Sequence, residues 1–124
     1  PEKRKQLDAI THPRIIEEEN RRVNELRKNN KSGIIILDAA LLIEAGHHNR
    51  VDELIVVYLN KNTQIKRLRK RDSLSLADAE KRINSQMPLD EKVKLADYVI
   101  DNNKSIYEVE KQVSEIYKKL IAGC

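Results

Sequence analysis

The chain has 124 residues, 40% of them hydrophobic and 35% charged, and its 24 basic and 20 acidic side chains leave a net charge of +4. That length suits one domain around one core, which must be aliphatic because Phe and Trp are absent and Tyr is sparse. The charge balance is too even to imply a polyanionic partner, no apolar run nears the roughly 18 residues of a membrane helix, and a lone cysteine, Cys124, excludes an intrachain disulfide or a cysteine metal cluster. With no apolar signal core at its amino terminus, the chain reads as cytoplasmic.

In chain order, residues 1–10 read as a short helix with Leu7 and Ile10 on one face, after which Thr11 offers a new cap. A second helix is expected from Pro13 to about Asn29, with Ile15, Ile16, Val23 and Leu26 inward, early acidic residues and late basic ones. The turn Asn29-Asn30-Lys31-Ser32-Gly33 leads into Ile34-Ile35-Ile36-Leu37, a β-branched run ending at Asp38. Similar runs recur at Leu54–Leu59 and Tyr98–Ile100, separated by helical patterns. This alternation predicts a parallel sheet with crossover helices, its strands near 34–38, 54–59 and 97–101 and buried on both faces. Between the last two strands come a basic helix over about 63–71, a break at Asp72-Ser73-Leu74, a helix capped by Ser75 that runs to about Gln86, and a short helix over about 90–95. The final helix opens on the capping pattern Ser105-Ile106-Tyr107-Glu108 and carries Ile106, Val109, Val113, Ile116 and Leu120 on one stripe.

Five segments in order carry a resemblance: Leu7-Asp8-Ala9-Ile10-Thr11-His12-Pro13, Leu37-Asp38-Ala39-Ala40-Leu41-Leu42-Ile43-Glu44-Ala45-Gly46, Gln64-Ile65-Lys66-Arg67-Leu68-Arg69-Lys70-Arg71-Asp72, Arg82-Ile83-Asn84-Ser85-Gln86-Met87 and Ala96-Asp97-Tyr98-Val99-Ile100-Asp101-Asn102. Together, over nearly the whole chain, they resemble the carboxy-terminal part of the dephospho-coenzyme A kinase family. The resemblance implies an α/β fold, a partial P-loop NTPase sheet of nucleotide-kinase type with a helical lid over about 63–88 and acceptor-side helices over 1–32. It also implies a use of ATP and magnesium to phosphorylate the ribose 3′-hydroxyl of dephospho-CoA. The family's GxxxxGK[ST] loop would precede Pro1, and with only Gly33, Gly46 and Gly123 no such loop lies within the chain. The chain alone is therefore expected to be inactive, and to self-associate or pair with an amino-terminal portion. In the family a proline usually precedes the paired leucines, where this chain has Ala39-Ala40.

Asp38 ends a strand at the sheet edge where ligands bind, and serves either as a turn or, as the resemblance implies, in substrate binding with a water-mediated hold on magnesium. Glu44 either orients acceptor groups or caps the Ala45-Gly46 turn. Gln64, Arg67 and Arg71 share one helix face at i, i+3 and i+7, while Lys66, Arg69 and Lys70 read as solvated. By resemblance Arg71 is the catalytic residue reaching the transferred phosphate, and Gln64 and Arg67 bind ATP together with the adenine-side Asn102, whose alternative is a turn. His12 either binds the acceptor or shapes the chain before Pro13, and the neighbouring His47 and His48 read as a surface loop rather than a chelate. Two other readings are another small-molecule P-loop kinase and a basic nucleic-acid-binding helix. The absence of interleaved aromatics argues against the second, so neither nucleic acid nor membrane is an expected partner.

Overall fold

Pro13 does not end the first helix. In the computed structural model, which describes residues 2–30 and 32–123, α1 runs unbroken over Glu2–Asn29 with Pro13 inside it. Thr11 as a cap and Pro13 as a first-turn residue favour a new helix start here, and proline offers no N–H to the carbonyl one turn back. That loss is confined to one turn, and the chain stays helical through it. Thr11 does not cap a new helix: its hydroxyl donates to the Leu7 carbonyl at 2.9 Å, folding back on the turn that it follows. His12, expected to be extended, is consequently helical.

The chain falls into two compact units, one of residues up to Ile36 together with those from Ile121, the other Leu37–Leu120. In the first, α1 has no buried residue, and Leu7, Ile10, Ile15 and Leu26 are exposed. Ile15 and Leu26 were expected to face inward, but this unit gives α1 no second long element to pack on. Its surface instead carries an ion network in which Arg21 grips Glu18 through Nε at 2.9 Å and Nη2 at 2.7 Å, reaches Glu25 at 2.7 Å, and shares Glu18 with Arg22 at 2.9 Å. Ile34–Asp38 was expected to be a strand and is not one. The segment joins no sheet among the described residues, and Ile34, Ile35 and Ile36 are exposed. β-Branched composition favours an extended backbone, but a strand also needs a neighbour for its N–H and C=O groups.

The second unit is built on two parallel strands, β1 (Ile55–Tyr58) and β2 (Tyr98–Asp101), in the register Ile55↔Tyr98 to Tyr58↔Asp101. Side chains extend the pairing at both ends. Asp97 Oδ2 accepts from the Leu54 N–H at 2.7 Å, and Asn103 Oδ1 accepts from the Asn60 N–H at 3.1 Å and its Nδ2 at 2.9 Å. Asn60 Oδ1 then accepts from Thr63 N at 2.8 Å, capping the first crossover helix, α2 (Lys61–Asp72). α2 ends at Ser73, a non-glycine residue in the left-handed region at φ 53°. The next helix, α3 (Leu76–Asn84), starts as expected, with Ser75 Oγ accepting from Asp78 N at 3.2 Å, and the short α4 (Leu89–Val93) packs on β1. The closing helix is α5 (Ile106–Ala122), with Ser105 Oγ accepting from Glu108 N at 3.3 Å.

The register puts Val56 and Val99 on one face of the sheet and Val57 and Ile100 on the other. Val56 and Ile100 are buried, Val99 and Val57 exposed, so each face is only half covered rather than buried as expected. The apolar core is correspondingly sparse: Ile43, Val56, Ala79, Ile100 and Ile116 are its buried members among the described residues. On the α5 stripe Ile116 is buried while Ile106 is 78% exposed.

Candidate functional site

At the carboxyl end of β1 lies an open cleft of about 740 Å³ within the second unit. α2 lines it with Lys61, Gln64, Arg67 and Arg71, α3 with Arg82 and Asn84, and the following turn and α4 with Met87, Pro88 and Asp90. The i, i+3, i+7 spacing of Gln64, Arg67 and Arg71 does put the three on one wall. Gln64 is committed to the fold at one end, because its Nε2 donates to the Leu59 carbonyl at 2.8 Å and so fixes the β1–α2 loop. Arg67 makes no hydrogen bond or ion pair among the described residues and stands free in the cleft.

Arg71 and Arg82 converge on one carboxylate. Arg71 meets Asp72 through Nε at 2.9 Å and Nη2 at 3.1 Å, and Arg82 Nη1 reaches Asp72 Oδ2 at 2.9 Å from the other helix. The Arg71 hydrogen bond holds the Asp72 carboxyl below its ordinary range and, in return, raises the Arg71 guanidinium, with Arg82 adding to the effect on Asp72. These pairs are solvent-exposed and weak, so a doubly charged phosphate group could compete for either guanidinium. Tyr58 lines the same cleft, and the facing Asp90 carboxylate pushes its hydroxyl above the ordinary value.

Behind this wall sits a buried lysine. Lys92 Nζ lies 3.0 Å from Glu44 Oε1 and donates to the Ala40 carbonyl at 3.2 Å, while Glu44 Oε2 accepts from the Met87 N–H at 3.2 Å. Burial opposes ionisation of Glu44, but the Lys92 hydrogen bond and the backbone N–H groups of Glu44 and Met87 outweigh it and hold the carboxyl below its usual range. Lys92 carries no local signal in the sequence, because its partners lie far upstream. Arg82 stands out in the sequence only within the segment Arg82-Ile83-Asn84-Ser85-Gln86-Met87.

The remaining candidates are dispersed. Asp38 is exposed and unpartnered among the described residues, and Asn102 uses its backbone N–H to extend the ladder to the Tyr58 carbonyl at 2.8 Å. His12 stands in the other unit, half exposed, with Nε2 3.7 Å from Asp8. His47 and His48 follow the Leu41–Gly46 turn, each part-exposed, and His48 Nδ1 is buried with no partner among the described residues. Those residues hold no cluster of three or more His, Cys, Asp or Glu suited to a metal, and no helix among them is long and apolar enough to cross a membrane.

A family model described as dephospho-CoA kinase matches residues 1–108. Proteins named dephospho-CoA kinase from Geobacter sulfurreducens and Carboxydothermus hydrogenoformans are each 46% identical, over 116 and 115 residues, covering 94% and 91% of this chain but 58% and 54% of their own lengths. The Geobacter metallireducens protein of the same name is 41% identical over 121 residues, covering 98% of this chain and 60% of its own. A crystal structure of TT1252 from Thermus thermophilus superposes with a TM-score of 0.73 at 27% identity, covering 97% of this chain and 61% of that one. The chain thus spans a little over half the length of these relatives, and with the family model matched over most of its residues it belongs to the dephospho-CoA kinase family.

Proposed function

We propose that this chain serves as the lid and acceptor-side part of an ATP-dependent kinase that phosphorylates the ribose 3′-hydroxyl of dephospho-CoA, a cytoplasmic step in coenzyme A synthesis. The observation that carries the reading is the convergence of Arg67, Arg71 and Arg82 on one cleft at the carboxyl end of the sheet. Three guanidinium forks suit a polyphosphate better than a single charge does, because each can contact two oxygens at once. In this reading residues 63–88 form the lid, with Arg71 on the transferred phosphate and Gln64, Arg67 and Asn102 on the nucleotide. For acceptor binding the reading assigns His12, within residues 1–32 of the first unit, and separately Asp38 and Glu44 of the second.

Asp38 fits an outer-sphere role toward magnesium, since it is an exposed, unpartnered carboxylate and Mg²⁺ keeps several waters when one or two carboxylates and the phosphates hold it. The ion would neutralise charge on the phosphates. What these residues do is bind and orient: phosphoryl transfer depends chiefly on positioning and charge stabilisation, and the guanidiniums supply both on the lid side. The groups for the β- and γ-phosphates belong to a GxxxxGK[ST] loop, which this sequence does not contain.

The test is transfer of phosphate from ATP to dephospho-CoA. A full-length enzyme carrying this sequence should turn over, and the 124-residue chain alone should not. Turnover with shikimate or a nucleoside monophosphate but not with dephospho-CoA would replace the acceptor named here.

A further inference from the structure

We propose that Lys92 is a positioning residue that latches the acceptor-side turn to the wall of the nucleotide cleft, a role that rests on the functional reading above. The turn following Asp38 is held at two points, through the Ala40 carbonyl and the Glu44 carboxylate, and both meet the one buried ammonium of Lys92 at 3.2 and 3.0 Å. The other oxygen of Glu44 takes the N–H of Met87, a residue that lines the cleft, and Lys92 itself sits on α4, two residues after the lining residue Asp90. One ion pair therefore joins the segment that bears Asp38 to the surface that faces Arg67, Arg71 and Arg82.

The turn's other backbone bonds among the described residues are internal, such as Ala45 N–H to the Leu41 carbonyl at 2.9 Å. The turn Leu41–Gly46 contributes one buried side chain, Ile43, and the two residues Ala39 and Ala40 are exposed. Apolar packing alone leaves such a turn free to shift against α4, whereas a buried ammonium with directional bonds to a carbonyl and a part-exposed carboxylate has one satisfactory geometry. A buried lysine whose ammonium meets a carbonyl and a carboxylate beside the cleft thus serves alignment. It never touches the substrate. It holds the turn so that the Asp38 carboxylate and the phosphate site keep a fixed separation.

The experiment uses the full-length enzyme with its parent activity measured first. Removing Glu44 alone would leave the buried Lys92 charge unpaired, so the principal variant replaces both, Lys92→Met with Glu44→Leu, an exchange that commonly preserves stability. The expected result is an unchanged melting temperature, a kcat lowered about 10- to 100-fold by misplacement of the turn, and a KM for ATP within about twofold of the parent. Glu44→Asp, which keeps the charge and shortens the reach, should lower kcat in the same way, and Lys92→Arg should retain most of it. Should the double variant fail to fold, Lys92→Met decides the matter, because Lys92, unlike Glu44, is assigned no contact with the acceptor. A kcat within about twofold of the parent in a folded double variant or in Lys92→Met would overturn the latch. An inactive parent would instead overturn the functional reading, and amide exchange in the 124-residue chain then judges the latch: unchanged protection of Met87 and Glu44 in the double variant refutes it, faster exchange at both supports it.

Discussion

The side-chain amide of Gln112 pairs with the backbone of Asp101 on both counts, Oε1 accepting from the Asp101 N–H at 2.8 Å and Nε2 donating to the Asp101 carbonyl at 3.1 Å. A single residue of α5 thereby stands in for a neighbouring strand at the end of β2. Gln112→Ala leaves a part-buried donor and acceptor unpaired and should destabilise the second unit by about 1–3 kcal/mol. Glutamate can accept but not donate, so Gln112→Glu should fall between. Denaturant melts of the three proteins give the comparison, and an alanine variant as stable as the parent would show that water replaces the amide without loss.

Pro13 gives a prediction of the opposite sign. Restoring an N–H within α1 should stabilise that helix by up to about 3 kcal/mol, because proline is worth that much less than alanine in a helix interior. Circular dichroism of Pro13→Ala should show increased helicity. A decrease would mean that α1 depends on proline at this position.

The Glu18 network makes α1 acid-sensitive. The hydrogen bond from Arg21, with that from Arg22, lowers the Glu18 carboxyl from 4.5 to about 2. Its folded value is depressed, so its contribution is fully present above pH 4.5 and is lost as pH falls from there through about 2. Carboxyl resonances followed by NMR should show the late titration. In Glu18→Gln, helicity in this acid window should vary less than in the parent.

Much of the second unit was legible because its signals are local. Ser75 and Ser105 mark their helix starts by side-chain geometry within three residues, and Asp72-Ser73-Leu74 marks a break that Ser73 makes by adopting φ 53°. The runs at Leu54 and Tyr98 became strands, but the equally β-branched Ile34–Leu37 did not, because propensity describes a residue and pairing describes its neighbour. The same limit governs the site. Helical spacing alone put Gln64, Arg67 and Arg71 on one wall, whereas Lys92 meets Ala40 across 52 residues and Arg82 meets Asp72 from another helix, relations that no periodicity encodes.

Arg71 should separate catalysis from stability. Its side chain is 73% exposed and its ion pair with Asp72 is open to water, so Arg71→Ala should leave the melting temperature unchanged. In the full-length enzyme, by comparison with arginine groups that stabilise a transferring phosphoryl, it should lower kcat by about 10³-fold or more. Arg71→Lys keeps the charge without the fork and should recover part of the loss, and Lys70→Ala should do much less than Arg71→Ala. Near-parental turnover of Arg71→Ala would return this residue to a solvated helix face.

Ser73 holds a strained backbone between α2 and α3. A non-glycine residue in the left-handed region costs about 1–2 kcal/mol, and glycine avoids this while giving back about 0.5–1 through its freer unfolded chain. Ser73→Gly should therefore raise stability by roughly 0.5–1 kcal/mol in a thermal melt. A lower melting temperature would mean that the serine side chain contributes more than its conformation takes away.

The contacts that bracket the sheet share one interval. Leu54 to Asp97 and Asn60 to Asn103 are each 43 residues apart, and the ladder between them keeps the same offset. During folding, whichever of these contacts forms first bears the entropy of closing that long loop, and the others then follow with almost none left to bear. The contacts should therefore form together or not at all, and the closing of that loop, rather than the local folding of α2, α3 and α4, should set how fast the sheet appears.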